Sequence, residues 1–448
     1  MIRAIWLAAA LCAAASLLYP QTQSSAAPVS PASSQRDLNI QTFEYVWKTI
    51  RDKHWQEKPG GLDWQAVHDE LRPAAERAAN IAELRQILND MLGRLHQTHF
   101  AIIPSDLYSD VNGPSAKGEV TTGIDVRVVD GEALVVSVDP ASPAERDGVR
   151  RGWQILKFGT VDLDPAIAKL NETYAKSTLR EAILRRAILS RLEGSAGETT
   201  SVEFLDDANQ RVTKTLAQQT PRGVLTKFGY LFPSYVWFES RKLSGNIGYV
   251  AFNMFLDTEH VMNEFGDAVK ACQSCRGFII DLRGNPGGIG AMAMGMAGWF
   301  IDKPDQRLGT LYMRATTLKF TVNPRVETFS GPLAILVDGA SASTSEILAG
   351  GLQDLGRARI FGTRTAAAAL PSLFDMLPDG DGFQYAIANY VSEGGKPLEG
   401  LGVKPDLEAP LTRRALLEGR DPALDAAIAW IKSAPRNDHS IASHAARN

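Results

Sequence analysis

Four short apolar runs constrain this chain more than any other feature: IGYVAF from Ile247, GFIIDL from Gly277, LAILVD from Leu333 and ARIFG from Ala358. They are near-continuous apolar runs, and helical stretches lie between most of them. Strands that bury both faces, separated by helices, belong to an α/β core with a parallel sheet, because parallel neighbours need a crossover connection.

The residues upstream read differently. From Asn80, the side chains Ile81, Leu84, Leu88, Met91 and Leu95 recur at helical spacing, with Asn80 as a cap and Glu83 three residues on. That helix is expected to end near Leu95, with HQTHFAIIP following as a turn and a short strand. A polar linker over residues 109–118 comes next. Beyond it, GIDVRVV, EALVVSV and WQILKFG read as short strands, and SPAERDG as a short helix stopped by Gly148. Residues 177–192 read as a longer helix, and TTSVEFLD with RVTKTLAQ as a hairpin.

Composition narrows the function. The chain has 448 residues, 44% hydrophobic and 22% charged, which is ordinary for a soluble protein of two or three domains. A net charge of −4 without a long basic run argues against a nucleic-acid partner. Near the start, Arg3 precedes an apolar stretch from Ile5 to Leu18, and Ser25, Ala26 and Ala27 offer small residues for cleavage. This is the pattern of a secretory signal peptide rather than a membrane anchor. Cys12 is preceded by Leu11, a poor fit to a lipidation box. The other two cysteines, Cys272 and Cys275, have no second pair to make a zinc site, and in an exported chain they are expected to form a local disulfide.

Two motifs sit where apolar strands hand over to helices. The first, LVDGASASTSEILAG from Leu336, carries Ser341, Ser343, Thr344 and Ser345 at the junction. A serine there benefits from the helix dipole and from free backbone N–H groups. Ser343 with Glu346 three residues later is also a capping box, so the residues alone leave cap and nucleophile open. The second motif, DLRGNPGG, places Gly284, Gly287 and Gly288 in a turn whose amides could stabilise an oxyanion. No Gly-Lys-Ser/Thr follows, so it is no phosphate loop. A serine nucleophile needs a base. Of seven histidines, His439 and His444 lie in the polar tail, His54, His68 and His260 in expected helices, and His96 and His99 flank a helix end. A metal centre is not expected, since that pair lacks a third ligand.

Taken together, DLRGNPGG, SASTSEILAGGLQD, FGTRTA and LEGLGVKPDL resemble the tail-specific, or C-terminal processing, serine peptidases. SPAERDGVRRGWQILKFG is similar to the helix and following strand of a PDZ domain. The resemblance implies a ClpP/crotonase-type spiral core of ββα units with an inserted PDZ module and an N-terminal helical region. It places the nucleophile at Ser343. Many relatives carry a lysine base where this chain has Ala368, so the resemblance points to the tricorn-like branch, in which His99 is the base, Glu399 the orienting acid and Thr98 a supporting partner. Glu393 is a nearby rival to Glu399, and Gln353–Asp354 is read as structural. The amide of Thr344 with that of Gly287 or Gly288 would form the oxyanion site, and Thr122, Gly123 and Ile124 would receive a peptide C-terminus.

The expected organisation is a signal peptide at 1–27, a disordered leader at 28–36, the helical region at 37–116, the PDZ-like domain at 117–220, the peptidase core at 221–434 and a flexible tail at 435–448. The expected function is an exported, periplasmic or extracellular serine endopeptidase that acts on peptides or unfolded C-terminal regions and needs no cofactor. The competing reading is an inactive relative that binds peptides or apolar ligands, toward which the Ala366 to Ala369 run leans. A crotonase-like acyl-CoA enzyme shares the core but is disfavoured by the signal peptide.

Overall fold

The computed structural model describes residues 35–105, 120–194 and 197–435. The signal peptide, most of the leader, the linker and the tail that the sequence led us to expect lie outside the described residues. Helix Gln35–Lys53 begins inside the span expected to be a disordered leader. It can do so because Asn39, Thr42, Phe43 and Val46 on its first turns are buried against the helices that follow.

The core is the parallel sheet that the apolar runs predicted. Ile247–Phe252, Gly277–Asp281, Leu333–Val337, Ala358–Gly362 and Leu407–Glu408 run parallel in that spatial order, with Phe238–Leu243 antiparallel on the outer edge. Every residue of Ile247–Phe252, Gly277–Asp281 and Leu333–Val337 is buried, which explains why these runs do not alternate. Helices Thr258–Lys270, Gly290–Ala297 and Thr344–Asp354 cover one face, where Phe265, Phe278, Phe300 and Phe329 pack together. Helix Pro422–Ser433 covers the other, laying Ala423, Ala427 and Ile431 on Ile279, Ala334 and Leu336. Because the strands are parallel, Gly277–Asp281 and Leu333–Val337 end on the same side. The two motif-bearing turns therefore emerge next to each other.

The N-terminal helices Gln35–Lys53, Trp64–Arg77 and Ile81–Gly93 share a second core built on Phe43, Trp47, Leu84 and Leu88. They do not close it alone. Leu377, Phe383 and Tyr385 complete it from the hairpin Ser372–Met376/Gly382–Ala386, whose second strand also pairs with Ala101–Ile103. The helical region and the stretch expected to be the peptidase core therefore share one hydrophobic cluster, while the module between them has its own. His54 lies just past its helix rather than in it, held by Gln97 and by the amide of Gln56.

The β-rich module contains strands Ile124–Val129, Glu132–Val138, Gln154–Phe158, Thr199–Leu205 and Arg211–Ala217, neighbours in that order. The short helix Pro143–Arg146 and the hairpin match the sequence pattern. The longer helix starts at Arg180, and a further one, Asp164–Thr173, was not anticipated. The module is tied to the core by a buried ion pair, Arg127 Nε to Asp338 Oδ2 at 2.7 Å. Cys272 and Cys275 are joined in a disulfide. Among the described residues, no helix is long and apolar enough to cross a membrane.

Candidate active site

Leu333–Val337 ends at Asp338, and the chain turns through residues 338–343 into helix Thr344–Asp354. Three of the four hydroxyls in this turn staple it to the glycine-rich turn. Ser341 Oγ donates to the carbonyl of Leu282 at 2.7 Å, Thr344 Oγ1 to that of Gly288 at 2.8 Å, and Ser345 Oγ to that of Asn285 at 2.9 Å. Ser343 alone of the four has a positive φ, 55° with ψ −115°, a conformation costly for a residue with a Cβ. The surroundings hold it there: its N–H donates to the carbonyl of Ala368 at 2.8 Å and to Glu346 Oε2 at 3.0 Å. A serine kept in a strained turn between strand and helix is the arrangement that presents the nucleophile in α/β-hydrolases.

The glycine-rich turn closes against Ser343. A Cβ on Gly287, whose φ is +98°, would sit 2.8 Å from Ser343 Cβ and from the amide nitrogen of Thr344. Only glycine fits there. The amide of Gly287 is engaged, donating to Asn285 Oδ1 at 2.9 Å, so of the two candidate glycine donors it is turned inward. Asn285 Nδ2 in turn donates to the carbonyl of Phe252 at 2.8 Å. Gly288, with φ +140°, lies against Phe255.

Thr98, His99 and Glu399 come together although Thr98 and Glu399 are 301 residues apart. Glu399 Oε1 accepts the N–H of Thr98 at 2.9 Å, and Oε2 accepts the Thr98 hydroxyl at 2.9 Å and the N–H of Ala369 at 3.0 Å. Thr98 Oγ1 stands 2.6 Å from His99 Nδ1. Its single proton goes to Glu399, so toward the imidazole it accepts, which puts the ring proton on Nδ1 and leaves Nε2 as a lone-pair nitrogen. That Nε2 is buried and has no hydrogen-bond partner among the described residues. Burial lowers the His99 pKa to about 3 and raises that of Glu399. The imidazole is therefore neutral at rest, as a base must be. Ser343 and His99 are both buried, at 1% and 0% exposure.

The rival acid is elsewhere: Glu393 pairs with Arg307 at 2.9 Å on the surface. Asp354 and Gln353 bond backbone groups of Gly394 and Lys404. Thr122, Gly123 and Ile124 lead into the edge strand of the module. Ile124 lines a cleft of about 260 Å³ with Val120, Leu189 and Leu192, while the amide of Gly123 is taken by Thr121 Oγ1 at 3.0 Å. Among the described residues, no group of three or more His, Cys, Asp or Glu side chains could hold a metal ion.

Residues 246–409 match the model of peptidase family S41, and residues 39–93 match the tricorn protease C1 domain. Residues 246–409 are a peptidase family S41 domain. Members of that family are serine-type hydrolases, and several relatives of this chain are named carboxyl-terminal processing proteases. One, from Picosynechococcus sp., is 27% identical over 399 residues and covers 84% of each chain. Carboxyl-terminal-processing peptidase 3, chloroplastic, of Arabidopsis thaliana is 26% identical over 425 residues, covering 91% of this chain and 77% of its own. The solved structure of a photosystem II D1 C-terminal processing protease aligns with 90% of this chain and 98% of its own, at TM-score 0.55 and 20% identity, a likeness of fold.

Sequence reasoning missed three supports of the site. Asp338 accepts the N–H groups of Gly284 and Ala340. Asn285 fixes Gly287, and Glu346 does more than cap a helix. All three stand inside the two motifs, so the signal was there, but each also bonds backbone from another part of the chain: Asp338 that of Gly284, Asn285 that of Phe252, and Glu346 that of Ala367 and Ala368.

Proposed function

We propose that the chain is an exported endopeptidase that cleaves peptides or unfolded C-terminal regions, with Ser343 as nucleophile, His99 as base, Glu399 as orienting acid and Thr98 as the link between them. The observation that carries this reading is the hydrogen-bond chain from Glu399 through the Thr98 hydroxyl to His99 Nδ1. It fixes the tautomer that leaves Nε2 ready to take a proton.

In the proposed reaction Ser343 Oγ attacks the scissile carbonyl while its proton passes to His99 Nε2. The imidazolium so formed is stabilised through Thr98 by Glu399. The oxyanion is received by the amides of Thr344 and Gly288, with Gly287 giving the room. Collapse breaks the C–N bond, and His99 returns the proton to the leaving amine. Water, deprotonated by His99, then releases the acyl group and restores the serine. Since Ser343 is 1% exposed, substrate reaches it only after neighbouring chain moves aside.

The core is read as the ClpP/crotonase type, supported by its parallel strands and intervening helices. The module is read as a PDZ domain that takes peptide C-termini near Thr122, Gly123 and Ile124. That reading is supported by the cleft between Ile124–Val129 and helix Arg180–Leu192. Export rests on the pattern of residues 1–27.

A fluorophosphonate probe tests the chemistry, because only an activated serine reacts with it. The protein should be labelled and should hydrolyse fluorescein-casein, while folded Ser343→Ala should do neither. Equal labelling of both would rule out Ser343. An unlabelled wild-type protein would favour the inactive binding relative.

A further inference from the structure

Glu346 stands three residues beyond Ser343, is fully buried, and reads in the sequence as half of a capping box. Its carboxylate has a wider reach. Oε2 accepts the N–H of Ser343 at 3.0 Å and that of Ala368 at 2.9 Å. Oε1 accepts the N–H of Ala367 at 2.9 Å and the hydroxyl of Thr365, which itself accepts the N–H of Val403 at 2.7 Å.

These donors lie on two pieces of backbone, the nucleophile turn and residues 365–368. The second piece touches both halves of the site. The carbonyl of Ala368 accepts from Ser343, the carbonyl of Ala367 accepts from Gly400 at 2.9 Å, and the next residue, Ala369, donates to Glu399. Ser343 and Ala367 both have a φ of 55°, unusual for residues with a Cβ. One carboxylate thus holds two strained residues and sets the register between the turn that carries Ser343 and the segment from which Glu399 is hung.

We propose that Glu346 is a positioning residue of the reaction, and that it holds Ser343 in register with His99 and Glu399 only as its carboxylate anion. The inference rests on the peptidase reading above. Three of the four groups facing the carboxylate are backbone N–H donors, which can only donate. A proton on either oxygen removes acceptor capacity that these donors use. Burial pushes the Glu346 pKa up to about 7, against the hydrogen bonds that lower it, and Glu399 is the charged group that faces it and adds to the rise. The anion is present above that pH and lost below it. His99, held near 3, would not titrate in this range. The acid limb of activity near neutrality is then set by Glu346 and not by the base.

The test measures the rate of fluorophosphonate labelling of Ser343, and of fluorescein-casein hydrolysis, between about pH 5 and 9. Wild-type activity should rise through an acid limb near pH 7. Glu346→Gln should lower kcat by about 10²-fold with KM within about threefold, and the limb should vanish because the amide does not titrate. Thr365→Val, nearly isosteric, removes one donor to the anion and should move the limb to higher pH. Loss of fold alone would lower the active fraction at every pH and leave the limb in place. A limb unmoved in both variants overturns the proposal, and if Glu346→Gln does not fold, an unmoved limb in Thr365→Val is enough. A wild-type protein that is never labelled would overturn the peptidase reading instead.

Discussion

Replacing Thr98 by valine removes one hydroxyl and almost no volume, so it isolates the link between acid and base. In the folded protein that hydroxyl donates to Glu399 Oε2 at 2.9 Å and lies 2.6 Å from His99 Nδ1. Glu399 keeps the N–H groups of Thr98 and Ala369, so the carboxylate should stay where it is. The imidazole loses its Nδ1 partner, the hydroxyl that links it to the acid, just when it becomes charged. A hydrogen bond to a charged group contributes about 1.5–3 kcal/mol net. Taking about 2 kcal/mol of this as specific to the transition state gives a fall in kcat of about 30-fold, with KM little changed. Thr98→Ser keeps the hydroxyl and should recover most of the activity. Steady-state hydrolysis of fluorescein-casein by the three proteins, with circular dichroism to show that each is folded, measures the effect. Thr98→Val within about threefold of wild type, or Thr98→Ser as slow as Thr98→Val, would refute the relay.

Further outcomes follow from the same geometry. Glu399→Gln should lower kcat by about 10²-fold and leave KM nearly unchanged in the same assay, because the charge that stabilises the imidazolium is gone. Gly287→Ala should slow fluorophosphonate labelling by about 10²-fold and lower Tm, since the new Cβ meets the Thr344 amide at 2.8 Å; labelling at the wild-type rate would show that this contact is easily relieved. Arg127→Met leaves Asp338 buried without its partner, and should cost about 3–5 kcal/mol in denaturant unfolding. Because Asp338 also holds Gly284 and Ala340, labelling of Ser343 should slow as well, which would make the module part of the catalytic frame rather than an appendage.

The elements that the sequence announced were those whose signal is local. Helix Ile81–Gly93 has Asn80 as its cap, the four core strands are near-continuous apolar runs, and Gly148 and Gly356 follow helix ends with positive φ. Helix Asp164–Thr173 was missed because only Ile167 along it is fully buried, too weak a stripe to register as a period. The N-terminal region looked self-contained because its helices are periodic. That its core is completed by Leu377, Phe383 and Tyr385 depends on a hairpin some 280 residues later in the chain, and no local pattern carries such pairing.

The sequence by itself determined the two turns. A buried strand, a run of small hydroxyl or glycine residues and a helix can meet in few ways, and short-range sterics fix where a serine can take φ 55° or where a Cβ cannot fit. Tertiary structure decided what those turns work with. Only the packed sheet brings Glu399 to Thr98 and gives Glu346 the amides of Ala367 and Ala368. It also brings Asn285 to the carbonyl of Phe252. Each of these is a choice of partner for a polar group that burial has cut off from water. For Glu399 and Glu346 that choice depends on which distant backbone arrives beside the group, not on its neighbours in the chain.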